Sequence, residues 1–520
     1  MGFYVNPGNE NFRKILAGDI FVDKSMLLAE LNRRIGTADC FVCVSRPRRF
    51  GKTMAERMIA AYYSKGCDSS ELFKPLKVSE DRSFAEHLNR YNVLHVDMNA
   101  FLSDYGKDAI VRLKSDVVDD FKRTFSDLDL SWCSTISNCI MEVYRSTSVP
   151  FVVIFDEYDS IFRESGSDSL TNDCLMLLNA LFKSDAMLSC IALAYLTGIL
   201  PIIRDKAQSK LNNFDEYTFL SPGMFAKYSG FTEDEVRALC ESHNMDFNEC
   251  KRWYDGYRFK GYDIYSPRSV VSAMQKGEFK AYWNSTSQYE AILDPIRLDA
   301  DGMRSDIMTM MGGGSVGVNA TLFLNTSHKL RNKDDVFTYL CHLGYLAYDD
   351  QTHSCRIPNR EIRDEWVNAL TVSGDYSSLI RMIGDSKRLL ESVWALDVEA
   401  ASDALSAAHE RVTSNMTYNN EACFQSAIRL AFFYADSFYT IVLEYPAGKG
   451  YVDIAFIPYK PNIPAMVVEL KAKGTAGTAL DQIRERRCFA GLDRYEGNTL
   501  LVGVSYDKDT KRHECVIERH

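Results

Sequence analysis

The sequence contains no apolar run long enough to cross a membrane. Its longest apolar runs, at 149–155 and 191–200, have the length of buried strands, whereas a membrane helix needs about 20 mainly apolar residues. Residues 1–21 carry charges throughout and lack the apolar segment of a signal peptide. We therefore expect no membrane span and a cytoplasmic location.

Positive charge is not in excess. The chain has 60 Lys and Arg residues against 71 Asp and Glu residues, and its formal net charge is −11. A protein that coats nucleic acid through bulk charge is normally basic. That class is excluded, and any contact with DNA or RNA depends on a local basic patch.

The spacing of histidine and cysteine predicts neither a zinc site nor a disulfide framework. The 9 His residues show no H-x-x-x-H or H-E-x-x-H pattern. Cys40 and Cys43 form a CxxC, but no second CxxC completes a zinc site. A chain of 520 residues needs no disulfides to hold a core. We predict reduced thiols inside the protein.

The length of the chain predicts about three domains, at roughly 100–200 residues per domain. In the first segment, residues 1–225, short apolar runs alternate with longer helical patterns. Strands separated by helices form βαβ units and a mainly parallel sheet. We expect strands at 39–45, 92–98, 151–156 and 192–198.

The second segment, residues 226–400, shows mainly short helical patterns. Thr232, followed by Glu235, has the spacing of a capping box at a helix start. The pattern over 334–366 predicts a helix, two short strands and a second helix, which is compatible with a winged-helix-like element. Such an element binds DNA or docks onto an ATPase core, and the lack of basic excess favours docking.

The third segment, residues 401–520, changes pattern again. The predicted order is αβββαβ, which indicates a second compact α/β domain. The elements are a helix at 419–435, strands at 439–445, 451–458 and 465–472, a helix at 475–490 and a strand at 498–506.

An apolar strand, a turn and a helix surround the Gly-Lys-Thr sequence at 51–53. In a P-loop, backbone N–H groups of the turn and the helix N-terminus wrap the phosphates. Lys52 would reach the terminal phosphates, and the Thr53 hydroxyl would ligate Mg²⁺. Arg46 stands where the first glycine of the usual pattern would be, so the match is incomplete when taken alone.

A second motif strengthens the P-loop interpretation. The apolar strand at 152–155 ends in Asp156 and Glu157. Asp156 would hold the Mg²⁺ through water, and Glu157 would orient or deprotonate the attacking water. Thr197, at the end of another apolar strand, either senses the terminal phosphate or is an ordinary polar residue at a strand end.

The arginines of the turn have two interpretations. Arg46, Arg48 and Arg49 either contact phosphates or form a solvated turn. The complete set of predicted ATP contacts is Arg46, Arg49, Phe50, Gly51, Lys52, Thr53, Asp156 and Thr197.

These motifs together resemble the bacterial AAA-ATPase-like family. SRPRRFGKT at 45–53 is similar to that family's RPRRFGKS/T signature, including the arginine at the first-glycine position. The resemblance covers most of 1–275 and resumes at 413–520, and family members often carry a PD-(D/E)xK nuclease-like domain at the C-terminus. Further matching segments are 21–25, 155–159, 196–200, 228–236 and 251–259.

Side chains suited to nuclease chemistry lie on two neighbouring predicted strands of the third segment. Glu469 and Lys471 face the same side because residues i and i+2 of a strand do, and Asp453 on the preceding strand can join them. The carboxylates suit Mg²⁺, or Mn²⁺, which activates water for phosphodiester cleavage, and Lys471 either positions the nucleophile or stabilises the transition state. Glu421 would add a metal ligand, and Gln482 would orient the site.

This arrangement resembles the PD-(D/E)xK nuclease superfamily, and the run 449–453 is similar to the G-R-x-D form of such domains. Three interpretations stay open: an active nuclease, a nuclease fold that has lost activity, and an ordinary surface ion pair. We expect a basic cluster near this site, made of Lys449, Lys471, Lys473, Arg484, Arg486 and Arg487. Such a cluster suits a phosphate backbone, and the alternative for the run 484–487 is a solvated helix face.

The predicted fold class is α/β: a P-loop parallel-sheet ATPase domain over 1–225, a helical middle over 226–400 and a restriction-endonuclease-like domain over 401–520. The predicted function is ATP binding and hydrolysis coupled to Mg²⁺-dependent cleavage of nucleic acid, preferentially DNA. The alternative is a nucleotide-dependent switch or scaffold with an inactive nuclease fold, and either fits a homo-oligomer or a protein partner. The predicted catalytic residues are Glu157, Asp453, Glu469 and Lys471, and the predicted metal ligands are Thr53, Asp156, Glu421, Asp453 and Glu469.

Overall fold

The structure is a computed structural model of the 520-residue chain. The chain divides into two compact units, Met1–Val367 and Asn368–His520. Among the described residues, no helix has both the length and the apolar character that a bilayer crossing requires. The described residues are 2–164, 166–202, 211–259, 261–283, 290–297, 302–325, 330–373, 377–412, 428–429, 431–447, 450–459, 462–471, 474–486, 495, 497–507 and 512–520.

A parallel sheet forms the centre of the first unit. Its strands are β1 (Phe41–Ser45), β2 (Asn92–Asp97), β3 (Phe151–Asp156), β4 (Ile191–Gly198) and β5 (Asp215–Tyr217). They lie in the order β2-β3-β4-β1-β5, and every neighbouring pair is parallel. The four predicted strands are confirmed. The edge strand β5 was not predicted, because three residues, two of them acidic, carry too little apolar pattern.

Helices cover both faces of this sheet. Side chains of a strand alternate between faces, so Val153 and Phe155 enter one hydrophobic core while Val152 and Ile154 enter the other. The helices are α1 (Glu10–Leu16), α2 (Met26–Asn32), α3 (Lys52–Tyr63), α4 (Ser70–Phe73), α5 (Phe84–His87), α6 (Met98–Tyr105), α7 (Ala109–Thr124), α8 (Ile136–Thr147), α9 (Ser160–Glu164), α10 (Asp168–Phe182) and α11 (Asp185–Leu188), with short 3-10 turns at Lys77–Glu80 and Gly106–Asp108.

The rest of the first unit contains short helices and two small antiparallel sheets. The helices are α12 (Glu233–Ser242), α13 (Phe247–Tyr254), α14 (Pro267–Lys276), α15 (Glu290–Ile296), α16 (Met303–Met311), α17 (Lys333–Leu343) and α18 (Arg360–Ser373), with 3-10 turns at Gly223–Tyr228 and Ala320–Leu322. The strands are β6 (Phe231–Thr232), β7 (Tyr257–Phe259), β8 (Tyr262–Tyr265), β9 (Val316–Gly317), β10 (Ala347–Asp349) and β11 (Ser354–Arg356). They pair in the orders β6-β8-β7 and β10-β11-β9.

Two local predictions for this region are confirmed. The segment 334–366 folds as α17, the β10–β11 hairpin and the start of α18. Thr232 and Glu235 form the capping box of α12, in which the Thr232 N–H donates to Glu235 Oε2 at 2.8 Å.

The second unit is built around a mixed sheet. Its remaining elements are α19 (Ser377–Trp394), α20 (Val398–Val412), a 3-10 turn (Phe433–Ser437), β12 (Tyr439–Ala447), β13 (Gly450–Pro458), β14 (Ala465–Lys471), α21 (Ala476–Arg486), β15 (Thr499–Asp507) and β16 (Arg512–Arg519). The strand order follows the sequence, and the pair β14–β15 is parallel while the other pairs are antiparallel. Residues of α19 and α20 contribute to its main core.

The predicted βββαβ part of this unit is found, with one addition. Most of the first predicted helix, 419–435, lies outside the described residues. The final strand, β16, was not predicted, because four of its eight residues are charged (Arg512, Glu514, Glu518 and Arg519) and it contains no long apolar run. It pairs with β15 over its whole length, so partner contacts rather than local hydrophobicity determine this strand.

Candidate functional site

The turn after β1 places a glycine at the start of α3. Gly51 has a φ of 85°, a left-handed conformation that glycine adopts without strain. Lys52 begins α3, and the first N–H groups of a helix have no partner within it. This end of the helix can therefore receive the oxygens of a phosphate.

The Lys52 side chain folds across this turn. Its ammonium group donates to the carbonyl oxygens of Arg46 at 3.0 Å and Pro47 at 3.1 Å. It also lies 3.6 Å from Glu157 Oε1, and its side chain is only 7% exposed. The cation is held by neutral carbonyls and one carboxylate, and it can exchange these for phosphate oxygens.

Thr53 and Asp156 meet at the end of β3. The Thr53 hydroxyl donates to Asp156 Oδ2 at 3.3 Å, and Asp156 is 3% exposed. Both residues line a cavity of about 1000 Å³. A hydroxyl beside a carboxylate fits a hard, oxygen-seeking cation. The wall of this cavity also contains Arg49, Phe50, Gly51 and Lys52, which were predicted as ATP contacts, and Glu157, which was predicted as catalytic.

Two predicted contacts, Arg46 and Thr197, are fully buried and are not part of this wall. Arg46 Nη1 donates to the carbonyl oxygens of Ser45 and Tyr217, each at 2.7 Å, and burial lowers the pKa of Arg46 to about 10. Arg46 thus connects β1 to β5. The Thr197 carbonyl oxygen accepts the N–H of Tyr158 at 3.1 Å, which links the end of β4 to the acidic turn after β3.

The other residues of the arginine-rich turn contact the protein around the cavity. Arg49, with a φ of 73°, donates from Nη1 to the carbonyl oxygen of Tyr282 at 3.1 Å, and burial lowers the pKa of Arg49. Arg48 lies 3.2 Å from Glu164 in an exposed ion pair. Arg49 is therefore not part of a solvated turn, and its contact with phosphate stays a prediction.

Phe50 anchors the turn by packing. Its ring, 1% exposed, makes edge-to-face contacts with Phe219, Tyr257 and Trp283 at centroid distances of 5.3, 5.4 and 6.3 Å. These partners come from the chain beyond β5. The residue before Gly51 is therefore fixed by side chains distant in sequence.

A buried carboxyl that the sequence analysis missed lies beside Asp156. Glu56, one turn after Lys52 on α3, is 3% exposed, and its Oε2 lies 3.4 Å from His95 Nε2. Burial, and then contact with Glu56, raises the pKa of Asp156, and burial raises the pKa of Glu56. The pair thus favours a neutralising proton or cation. An acid among the apolar positions of α3 was the available signal.

Glu157 follows Asp156 in a left-handed conformation, with a φ of 48°. Its carboxylate lies 3.6 Å from Lys52 Nζ and 3.3 Å from Arg163 Nη2. Although burial raises the pKa of Glu157, these two cations hold it below its usual range. Glu157 is thereby kept as a carboxylate, the form that accepts a proton. Arg163 was also missed; its spacing of four residues from Asp159 on α9 was the available signal.

The second predicted site lies at the ends of β13 and β14. Ile454 is registered opposite Val468, so Asp453 and Glu469 are the next opposing positions. Asp453 Oδ2 accepts the N–H of Leu470 at 2.7 Å. The structure thus brings the two predicted carboxylates together across neighbouring strands.

Glu469 is the buried member of this second site, at 3% exposure. Lys471 Nζ lies 3.6 Å from Glu469 Oε1, and Gln482 on α21 donates to the same oxygen. Burial, with Asp453 next in effect, raises the pKa of Glu469 to about 7, against the opposing effect of Lys471. Lys471 and Gln482 lie where the sequence predicted.

Among the described residues, each site offers few protein ligands for a metal ion. Within the described ranges, no three His, Cys, Asp or Glu side chains converge to hold a metal by themselves. Mg²⁺ commonly takes one or two carboxylates and completes its shell with water and substrate phosphates, so Thr53 with Asp156, and Asp453 with Glu469, remain suitable pairs. Glu421 lies outside the described residues.

The predicted basic cluster near the second site is described in part. Arg484 on α21 pairs with Asp481 at 3.1 Å and with Glu518. Arg486 is exposed, and its charge lowers the pKa of Glu469 as a minor contribution. The remaining members, Lys449, Lys473 and Arg487, lie outside the described residues.

The fold and the two sites resemble those of a P-loop protein with a nuclease-like C-terminal domain, and two family models match the corresponding parts of the chain. The model described as "Predicted AAA-ATPase" matches residues 7–207, and the model described as "PD-(D/E)XK nuclease superfamily" matches residues 419–514. The chain therefore combines an AAA-ATPase-like segment with a PD-(D/E)XK nuclease-like segment. The resemblance inferred from its motifs is confirmed.

Individual relatives are distant. The "Uncharacterized protein in vnfD 5'region" of Azotobacter chroococcum mcd 1 is 22% identical over 545 residues, an alignment that covers 97% of this chain and 96% of the relative. The ORC2 protein of Aeropyrum pernix in its ADPNP-ADP complexes is 11% identical, with a TM-score of 0.29, over 67% of this chain and 92% of the other. Cdc6p of Pyrobaculum aerophilum is 13% identical, with a TM-score of 0.23, over 71% and 98%.

Proposed function

We propose that this protein binds and hydrolyses ATP and cleaves phosphodiester bonds of nucleic acid, with DNA as the substrate. The observation that carries the proposal is the convergence of two separate constellations in one chain. Lys52, Thr53 and Asp156 line one cavity with Glu157, and the Asp453, Glu469 and Lys471 side chains meet at neighbouring strand ends.

At the first site, the start of α3 would bind the phosphates of ATP through its N–H groups. Lys52 would exchange its carbonyl contacts for the terminal phosphates. Glu157 would orient the attacking water and accept its proton, because it is kept as a carboxylate. Thr53 and Asp156 would hold Mg²⁺, which neutralises charge on the phosphates.

At the second site, Asp453 and Glu469 would hold Mg²⁺ or Mn²⁺, which lowers the pKa of a bound water and neutralises the scissile phosphate. Lys471 would stabilise the charge that develops in the transition state. Gln482 keeps Glu469 in place through its hydrogen bond. This positioning of a metal ligand by a neighbouring side chain is a common requirement of metal sites.

The test uses Lys52→Ala and Lys471→Ala in the full chain, assayed for ATP turnover and for cleavage of plasmid, linear and single-stranded DNA with Mg²⁺ or Mn²⁺. We expect ATP turnover to fall about 100-fold or more in Lys52→Ala and DNA cleavage to fall similarly in Lys471→Ala. Lys74→Ala and Arg519→Ala, which remove cations from exposed positions, are the matched controls. Unchanged cleavage in Lys471→Ala would remove the nuclease proposal.

A second candidate is a nucleotide-dependent switch whose nuclease fold binds a partner without cleaving. It is favoured by internal hydrogen bonds that occupy Oδ2 of Asp453, from the Leu470 N–H, and Oε1 of Glu469, from Gln482; the buried Glu469 Oε2 has no such partner among the described residues. Calorimetric titration with Mn²⁺ separates the two. Binding that is lost in Asp453→Asn supports the nuclease, and no binding by the wild-type chain supports the switch.

The wider predictions belong to the same proposal. We place the ATPase, middle and nuclease-like parts at 1–225, 226–400 and 401–520, and we place the protein in the cytoplasm. ATP binding would alter the arrangement of the middle and C-terminal parts. A homo-oligomer or a protein partner is compatible with both candidate functions.

A further inference from the structure

Arg163 is a nearly buried cation beside the proposed ATP site. It lies on α9, and its side chain is only 7% exposed. Nη1 lies 2.6 Å from Asp159 Oδ2, and Nη2 lies 3.3 Å from Glu157 Oε2 and 2.9 Å from Glu164 Oε1. Burying an arginine is costly unless several acceptors receive its N–H groups. Arg163 meets that condition through three carboxylates.

The Glu157 carboxylate has two cationic contacts in the described part of the chain, and they differ in what ATP binding would do to them. Lys52, at 3.6 Å, would turn to the phosphates. Arg163, at 3.3 Å, is not on the cavity wall and would stay. Arg163 is therefore the contact that can hold Glu157 in one orientation while nucleotide is bound.

Asp159 fixes the position of Arg163 relative to the central sheet. Its Oδ1 accepts the N–H of Ile199 at 3.1 Å, and its Oδ2 accepts the N–H of Leu200 at 2.9 Å. These two residues directly follow β4. A side chain added at Gly198 would approach Asp159 Oδ1 to 2.4 Å, so the fit leaves no spare room. Asp159 thereby fixes Arg163 relative to the end of β4.

The same turn is connected to α17. The Tyr158 hydroxyl donates to the carbonyl oxygen of Leu200 at 2.9 Å, and Leu200 packs with Phe323 and Tyr339. The middle of the chain thus contacts the strand end to which Asp159 and Arg163 are tied. A displacement of α17 would therefore be transmitted to the turn that carries Glu157 through Leu200 and Tyr158.

We infer that Arg163 is a positioning residue for ATP hydrolysis: it holds Glu157 in line with the attacking water, and Asp159 holds Arg163. This inference rests on the proposed ATP hydrolysis. Arg163 takes part in no bond change. Its removal leaves the phosphate cradle intact and loosens the carboxylate that receives the proton.

The test compares Arg163→Ala and Arg163→Lys with wild type in the full chain. We expect kcat for ATP turnover to fall about 10- to 100-fold in Arg163→Ala, as for a misplaced catalytic group. The dissociation constant of a fluorescent ATP analogue should change less than about twofold, because Arg163 is not on the wall of the cavity. Arg163→Lys should recover part of kcat, and added guanidinium ion should raise kcat of Arg163→Ala but not of wild type.

Arg145→Ala is the matched control, since Arg145 forms an exposed helical ion pair with Glu142 in the same unit. Unchanged kcat in Arg163→Ala overturns the inference while leaving ATP hydrolysis standing. Loss of nucleotide affinity in parallel with kcat also overturns it, because that result indicates a general structural role. Absence of turnover in wild type, with ATP still bound, instead refutes the proposed hydrolysis. If Arg163→Ala does not fold, Arg163→Lys and Asp159→Asn carry the same comparison.

Discussion

Replacing Phe50 with alanine tests whether the chain beyond β5 holds the proposed phosphate-binding turn in place. The Phe50 ring is 1% exposed, and it packs edge-to-face on Phe219, Tyr257 and Trp283. The ring does not need to contact nucleotide to matter, because Phe50 directly precedes Gly51. Its loss opens a cavity beneath the turn that we propose receives the phosphates.

The size of the effect follows from the burial. Truncating a buried phenylalanine to alanine costs about 3–5 kcal/mol of stability, and edge-to-face pairs contribute part of this, at about 0.5–1.5 kcal/mol each. The bound turn must be ordered, so some of the loss appears in nucleotide affinity. If about 1.4 kcal/mol of the lost stability must be supplied to order the turn when nucleotide binds, ATP binds about tenfold more weakly.

The assay measures thermal unfolding and the dissociation constant of a fluorescent ATP analogue for wild type, Phe50→Ala and Phe50→Leu. Phe50→Leu keeps most of the apolar volume and should lie between the other two. Phe3→Ala is the control, because the Phe3 ring is 87% exposed. Wild-type ATP affinity in a clearly destabilised Phe50→Ala would refute the idea that this packing organises the turn.

Three further predictions concern stability. Gly256→Ala should lower the free energy of unfolding in urea by at least about 2 kcal/mol, because φ is +115° and a Cβ would lie 2.1 Å from the Pro358 carbonyl oxygen. Gly261→Ala is the control: its φ is +90° and a Cβ there meets no atom within 4 Å, so it measures the backbone strain alone. Burial raises the pKa of Glu361 to about 7 from its ordinary 4.5, so the folded chain keeps a proton that the unfolded chain releases, and stability falls as pH rises from about 4.5 to 7. The unfolding midpoint of Glu361→Gln should lack this part of the pH dependence, and identical pH profiles would contradict it. Asp120→Ala should speed hydrogen exchange at residues 3–5, whose N–H groups its carboxylate accepts at 2.8–3.2 Å; unchanged exchange there would show that these bonds do not hold the N-terminal segment.

The parts of the fold that carry a local pattern could be predicted from the sequence. The strand 151–156 is a continuous apolar run ending in acids, and it is β3 with its buried side chains alternating between two cores. The Gly-Lys-Thr turn before a helix and the spacing of Glu469 and Lys471 are likewise local. The backbone geometry at Gly51 agrees with the expectation for a phosphate-binding turn.

The parts of the fold that depend on residues distant in sequence could not be predicted from the sequence. β5 and β16 lack an apolar run, and each is a strand because a neighbouring strand supplies its hydrogen bonds. Arg46 was expected near phosphate, but its guanidinium lies on backbone carbonyls of β1 and β5. Its sequence neighbours give no sign of this burial.

The sequence by itself determined which segments become the central strands, where the Gly-Lys-Thr turn begins, and which acids and lysines stand at strand ends. Those properties follow from side-chain periodicity and from glycine's backbone freedom, which act over a few residues. Only the tertiary structure decided that Glu56 lies against Asp156, that Arg163 holds Glu157, and that Phe50 enters a pocket of distant aromatic rings. Desolvation and charge pairing set the chemistry of these groups, and both depend on neighbours that folding alone brings together.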